Sequence, residues 1–176
     1  MPAQDRAQKL RLMAFDVDGV LTDGTLYFTA QGDEMKAFSS IDGHGLKMLA
    51  GAGVRLAIIT GRSSRAVALR AQNLGIDLLC QGVEDKRGAM QGLLDGLGLD
   101  FADAGYMGDD VVDLPLLCAC AFSASVPGGH AAVRERVDYV SRAAAGHGAV
   151  REVCELILSA QGKLDAALAP YLAPRR

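Results

Sequence analysis

The stretch LRLMAFDVDGVLTDG, Leu10–Gly24, opens on an apolar run and ends in a cluster of aspartates and glycines. Leu10–Val17 reads as a strand buried on both faces, as the central strands of a parallel sheet are when helices cover both sides. Asp16 ends the apolar run, and Asp18 lies two residues on, so an extended backbone puts both carboxylates on one side.

Outward from this strand, short branched or apolar runs recur at Arg55–Thr60, Leu78–Gln81, Ala104–Met107, Ala121–Ser125 and Tyr139–Val140. Helical patterning separates them at Ser63–Leu74, Asp85–Leu97, Asp110–Cys118, His130–Arg136 and Val150–Leu158. Ser63-Ser64 suits a helix start and Gly75 a helix end. The alternation predicts a single α/β domain over residues 1–176, a three-layer α/β/α Rossmann-like fold on a mainly parallel sheet. One segment breaks the rhythm. GTLYFTAQGDEMKAFS, Gly24–Ser39, alternates on either side of Gln31-Gly32-Asp33 and predicts a β-hairpin inserted after the first strand. The tail, residues 163–176, holds two prolines and is expected to be loosely ordered.

The 176 residues suffice for one full core. A net charge of −3 gives no basic footprint for nucleic acid, and half the residues being hydrophobic excludes a disordered chain. No apolar run reaches membrane-spanning length. The start, MPAQDRAQKLRLMAFD, has no signal-peptide core because Met13–Phe15 meets Asp16 at once, so a cytoplasmic protein is expected. The cysteines, Cys80, Cys118, Cys120 and Cys154, lack zinc-site spacing and are expected to be small core residues.

In an open parallel sheet, ligands bind beyond the carboxyl ends of the strands. The predicted strands end at Asp16-Val17-Asp18-Gly19, at Thr60-Gly61-Arg62, just before Lys86, and at Gly108-Asp109-Asp110. Such a rim suits phosphoryl transfer. Asp16 can attack phosphorus and form an acyl phosphate. Asp18 can protonate the leaving oxygen and then activate water. Clustered carboxylates beside a phosphate call for a hard cation, with Mg²⁺ as the natural choice, held by Asp16, Asp109 and the backbone carbonyl of Asp18. Thr60 can bond phosphoryl oxygens, Lys86 can neutralise them, and Asp113 can hold Lys86 or a metal-bound water. Taken singly, each position also fits a turn, a helix entry or a solvated charge; four in this order make coincidence a poor account.

The pattern FDVDGVLTDG (Phe15–Gly24), IITGR (Ile58–Arg62), Lys86 and GDDVVD (Gly108–Asp113) resembles the haloacid dehalogenase superfamily of aspartyl phosphatases over nearly the whole chain. The resemblance implies Asp16 as nucleophile, Asp18 as general acid/base, Thr60 and Lys86 on phosphate, Asp109 on Mg²⁺, and Asp110 and Asp113 in support. The stretches between Asp16 and Thr60 and between Thr60 and Lys86 leave no room for a cap domain. An open site then needs closure by a neighbouring subunit, with the hairpin packing there.

Asp42-Gly43-His44-Gly45-Leu46 and GHGAVREVCELILSAQGKLD (Gly146–Asp165) are similar to the capless, tetrameric family of 3-deoxy-D-manno-octulosonate 8-phosphate phosphatases. Where that family's tail begins Gly-Gly, this chain has Ala145-Gly146. The likeness implies a homotetramer and hydrolysis of that sugar-acid phosphate in lipopolysaccharide precursor synthesis. Arg62, Arg70 and His44 are then candidates for the substrate's anionic and hydroxyl groups, with His44 expected in a loop near the rim. Three other readings fit parts of the pattern: a phosphatase of a nine-carbon sugar-acid phosphate, a receiver-like module phosphorylated on Asp, and an inactive regulatory module. In a receiver the Lys would come last, whereas here Lys86 precedes Asp109.

Overall fold

A computed structural model describes residues 2–172. In chain order its elements are α1 (Ala3–Ala7), β1 (Leu12–Phe15), β2 (Tyr27–Phe28), β3 (Glu34–Met35), α2 (Ser40–Gly51), β4 (Arg55–Ile59), α3 (Arg65–Leu74), β5 (Leu78–Cys80), α4 (Lys86–Leu97), β6 (Ala104–Met107), α5 (Leu114–Leu117), β7 (Phe122–Ser125), α6 (Ala131–Arg134), β8 (Tyr139–Val140), α7 (Ala149–Ala160) and α8 (Leu164–Leu168). Six strands form one sheet in the order β5-β4-β1-β6-β7-β8, every neighbouring pair parallel. Antiparallel pairing occurs in the separate hairpin β2–β3, where Tyr27 faces Met35 and Phe28 faces Glu34.

The unbroken apolar run of β1 is explained by burial on both faces. Met13 and Phe15 join the core beneath α1, α2 and α7, while Leu12 and Ala14 join a second core beneath α4 and α5. The same division separates Leu56 and Ile58 from Ala57 and Ile59 in β4. The result is the expected three-layer arrangement. Among the described residues there is no cap domain: the hairpin and α2 occupy the chain between β1 and β4, and α3 and β5 occupy most of that between Thr60 and Lys86. Strand order reverses direction at β1, with β4 on one side and β6 on the other, so the crevice of the sheet opens at Asp16.

Three expectations are corrected. His44 lies within helix α2, not in a loop. The Ser39 hydroxyl accepts the Asp42 N–H to start that helix, and Gly45 serves close packing, since a Cβ there would meet Arg151 Cα of α7 at 3.0 Å. The tail from residue 163 was expected to be loosely ordered, yet α8 is followed by a 3-10 turn, Ala169–Tyr171. Leu164, Ala167 and Leu168 pack on the core, and Lys163 Nζ donates to the Ala52 carbonyl at 2.9 Å; residues 173–176 lie outside those described. Of the cysteines, Cys120 and Cys154 are buried and Cys80 half-buried, but Cys118 is exposed. The single turn of α5 directs Leu116 and Leu117 inward and leaves the next residue outside.

Candidate active site

β1 delivers Asp16 to the crevice in extended conformation, 7% exposed, with Oδ1 accepting the N–H of Val17 at 2.7 Å. The chain then turns sharply at Gly19, whose φ is +86°. A Cβ at Gly19 would stand 2.1 Å from Asp109 Oδ2, so only glycine lets the carboxylate from the end of β6 approach this loop. Thr60, 2% exposed, follows β4, whose Ile58 pairs with Phe15 of β1, and is anchored through its own N–H to Cys80. Lys86 is the first residue of α4, after the cap Asp85, and its ammonium is buried in the crevice.

Lys86 Nζ lies 2.8 Å from Asp16 Oδ2 and 2.6 Å from Asp113 Oδ1, and donates to the Tyr106 hydroxyl at 3.3 Å. That hydroxyl in turn donates to Asp113 Oδ1 at 2.8 Å. The other oxygen of Asp113, fully buried, accepts the backbone N–H groups of Asp109 and Asp110 at 3.0 and 3.1 Å. Asp110 caps the same turn through the N–H of Val111. Asp113 therefore spends both oxygens on Lys86, Tyr106 and the loop that carries Asp109.

Asp16, Asp109 and Asp113 each offer a carboxylate oxygen, all within 4.8 Å of one another, and this cluster can hold a divalent cation. The electrostatics of the cluster suit a bound cation. Burial, reinforced by Asp113, pushes Asp16 up to about 6 despite Lys86. Burial, reinforced by Asp16, Asp113 and Asp110, pushes Asp109 up to about 7. Burial disfavours the Lys86 ammonium, but Asp16 and Asp113 outweigh it and raise its pKa. One ammonium thus stands against three carboxylates, all with hard oxygen donors. Because Asp113 is already saturated, Asp16 and Asp109 are the side chains left to ligate.

The expected site residues divide into three groups. Asp16, Lys86, Asp109 and Asp113 converge, with Thr60 one strand away. Asp18 and Arg62 stand at the rim: Arg62 Nε lies 3.7 Å from Asp18 Oδ2, and its Nη2 donates to Glu34 Oε1 at 3.3 Å. Arg70 and His44 are engaged elsewhere. Arg70 donates to the Ser39 carbonyl at 2.9 Å and sits over the Phe38 ring, while His44 stacks edge-on with Tyr171 in a cleft formed by α2, Lys163 and the turn after α8. Asp42, in the Asp42–Leu46 stretch that shared in the family likeness, accepts the N–H groups of Gly148 and Arg151 and so tethers the start of α7.

Three residues here were missed from the sequence. Tyr106 is hidden in an apolar strand and carried no signal. Glu34 and Lys36 sit at i and i+2 of β3 and the residue after it; two charges on one side of a hairpin strand were the available clue.

No family model matches the chain. It is 44% identical over 162 residues to the 3-deoxy-D-manno-octulosonate 8-phosphate phosphatase KdsC of Escherichia coli K12, covering 92% of this chain and 86% of that protein. Among solved structures it superposes with a TM-score of 0.95 on the 3-deoxy-D-manno-octulosonate 8-phosphate phosphatase of Moraxella catarrhalis in complex with magnesium ion, phosphate ion and KDO; identity is 45%, covering 97% of this chain and 98% of that one. The corresponding phosphatase of Yersinia pestis gives a TM-score of 0.91 at 42% identity, covering 93% and 88%.

Proposed function

The chain belongs to the 3-deoxy-D-manno-octulosonate 8-phosphate phosphatase family, within the haloacid dehalogenase superfamily, and on that premise we propose how its residues perform the hydrolysis. The protein is a phosphoric monoester hydrolase that releases phosphate from 3-deoxy-D-manno-octulosonate 8-phosphate, supplying the free sugar acid for lipopolysaccharide.

An Asp16 oxygen attacks phosphorus, and an aspartyl phosphate forms as the bond to the sugar oxygen breaks. Asp18 gives that oxygen its proton, then takes one from the water that cleaves the aspartyl phosphate and restores Asp16. Lys86 neutralises phosphoryl charge, held at the correct depth by Asp113, while Thr60 donates a hydrogen bond. Asp16, Asp109 and the Asp18 carbonyl would hold Mg²⁺, which would supply the positive charge that lets two anions meet. Arg62 meets the substrate's anionic or hydroxyl groups at the rim; Arg70 and His44, buttressing α2 and α3, reach it only through a change of partner.

A homotetramer closes the open rim. Tyr27, Phe28 and Met35 of the hairpin expose 43%, 59% and 58% of their surface, which supports the hairpin as the contact. No helix among the described residues is long and apolar enough to cross a membrane, in keeping with a cytoplasmic site of action.

The observation that carries the reading is Asp16 at the switch point of the sheet, 2.8 Å from Lys86 and within the three-carboxylate cluster. The test is phosphate release from 3-deoxy-D-manno-octulosonate 8-phosphate with and without Mg²⁺, beside Asp16→Asn. Fast release that needs the metal and is abolished by the substitution is expected. Preference for a nine-carbon sugar-acid phosphate would move the substrate and keep the mechanism, and no turnover of any phosphate ester would overturn both.

A further inference from the structure

Lys36 directs its side chain inward from the residue after β3, although the hairpin around it lies at the surface. Only 1% of that side chain is exposed, whereas its neighbour Met35 is mostly exposed. Its ammonium pairs with Asp18 Oδ1 and lies 3.1 Å from Glu34 Oε1. Burying a lysine ammonium incurs a desolvation cost, which here is offset by the two carboxylates it meets. On the other side of the same carboxylate, Asp18 Oδ2 is buried and has no hydrogen-bond partner, with Arg62 Nε no nearer than ion-pair range at 3.7 Å. One oxygen of Asp18 is thus pinned, and the other, though buried, carries no hydrogen bond.

We propose that Lys36 is a positioning residue for Asp18, fixing Oδ1 so that Oδ2 is the oxygen that exchanges the proton. The hairpin is then part of the catalytic apparatus of its own subunit. This rests on the acid/base role of Asp18 given above. In the first half-reaction the Asp16–phosphorus bond forms, the phosphorus–sugar oxygen bond breaks, and the proton on Oδ2 passes to the sugar oxygen. The carboxylate left behind faces the Lys36 ammonium. In the second, water's oxygen bonds to phosphorus, the Asp16–phosphorus bond breaks, and water's proton passes to Oδ2. Glu34 keeps the ammonium from leaving when Asp18 is protonated.

The role predicts a dependence on the leaving group. A sugar alkoxide needs the proton to depart, and p-nitrophenolate does not. The measurement is kcat/KM, which reports steps through cleavage of the ester bond, for Lys36→Met and Lys36→Arg on the sugar-acid phosphate and on p-nitrophenyl phosphate. With Lys36→Met the ratio of the two values is expected to shift about a hundredfold against the sugar-acid phosphate, the size of a general-acid contribution, and Lys36→Arg to restore most of it. Equal losses on both esters, or no loss on the sugar-acid phosphate, would overturn the proposal. Asp18→Asn is the benchmark: if it too lowers both esters equally, the acid/base reading of Asp18 fails and the inference falls with it. Should Lys36→Met not fold, Glu34→Gln leaves the lysine in place but loosens it, and a shift of the ratio in the same direction is expected.

Discussion

Lys86 Nζ lies 2.6 Å from Asp113 Oδ1, a carboxylate that is fully buried and that also holds the N–H groups of the loop bearing Asp109. Lys86 and the loop that bears Asp109 are therefore both positioned by one side chain, Asp113. Asp113→Ala is expected to lower stability by about 1–3 kcal/mol, because two N–H donors lose their acceptor while Lys86 keeps Asp16 as its partner. Thermal denaturation checks the stability loss. Asp113→Asn keeps the shape and is expected to lower kcat by about a hundredfold or more, read in steady-state assays at saturating Mg²⁺.

Gly19→Ala is expected to weaken Mg²⁺ binding at least tenfold. The new methyl group would meet Asp109 Oδ2 at 2.1 Å at a positive φ, so Asp109 must move away from Asp16. Calorimetric Mg²⁺ titration measures it, and an unaltered affinity would mean that Asp109 does not ligate from this position.

The raised carboxylates set a pH dependence. Asp16 and Asp109 titrate at about 6 and about 7 in the metal-free fold, above the ordinary carboxylate value that applies when unfolded. Between about pH 4 and pH 7 these two groups hold protons in the fold that the unfolded chain has released, so their contribution to metal-free stability falls as pH rises. A divalent cation bound by the deprotonated pair is expected to reverse that loss. The rise in melting temperature on adding Mg²⁺ is expected to be large at pH 8 and small at pH 5.5; chelation at pH 8 should remove it.

Glu152 gives the opposite sign far from the site. Burial works against its charge, but bonds from the Tyr139 hydroxyl and the N–H groups of Ala143 and Arg142 win, and its pKa is lowered. Its contribution is present above the ordinary glutamate value and is lost as pH falls through the lowered one. Glu152→Gln is expected to melt below the parent at pH 7, with the gap narrowing as the pH falls below the ordinary glutamate value.

Phe28→Lys is expected to reduce the assembly to smaller species and to raise KM more than it lowers kcat on the sugar-acid phosphate. Light scattering after size exclusion reads the first effect and steady-state kinetics the second. A tetramer that survives the substitution would place the contact elsewhere.

The parallel sheet and the order of Asp16, Thr60, Lys86 and Asp109 were legible in the chain, because burial on both faces demands continuous apolar runs and polar residues must wait for the strand ends. The hairpin was legible from its alternation about Gln31-Gly32-Asp33. Tertiary structure alone decided what could not be seen as a local pattern. Gly43 and Gly45 beside His44 suggested a loop, but they mark a helix pressed against Arg70 and α7. Asp113 was open between a lysine partner and a water partner until Tyr106 and two backbone N–H groups closed around it. Lys36 showed only as a charge in a hairpin, since the side of the strand that meets Asp18 depends on how the hairpin folds back over the sheet. Sequence spacing fixes which residues reach a strand end or a helix face; contacts between elements distant in the chain depend on packing, and that is where the partners of Asp18, Asp42 and Lys86 were settled.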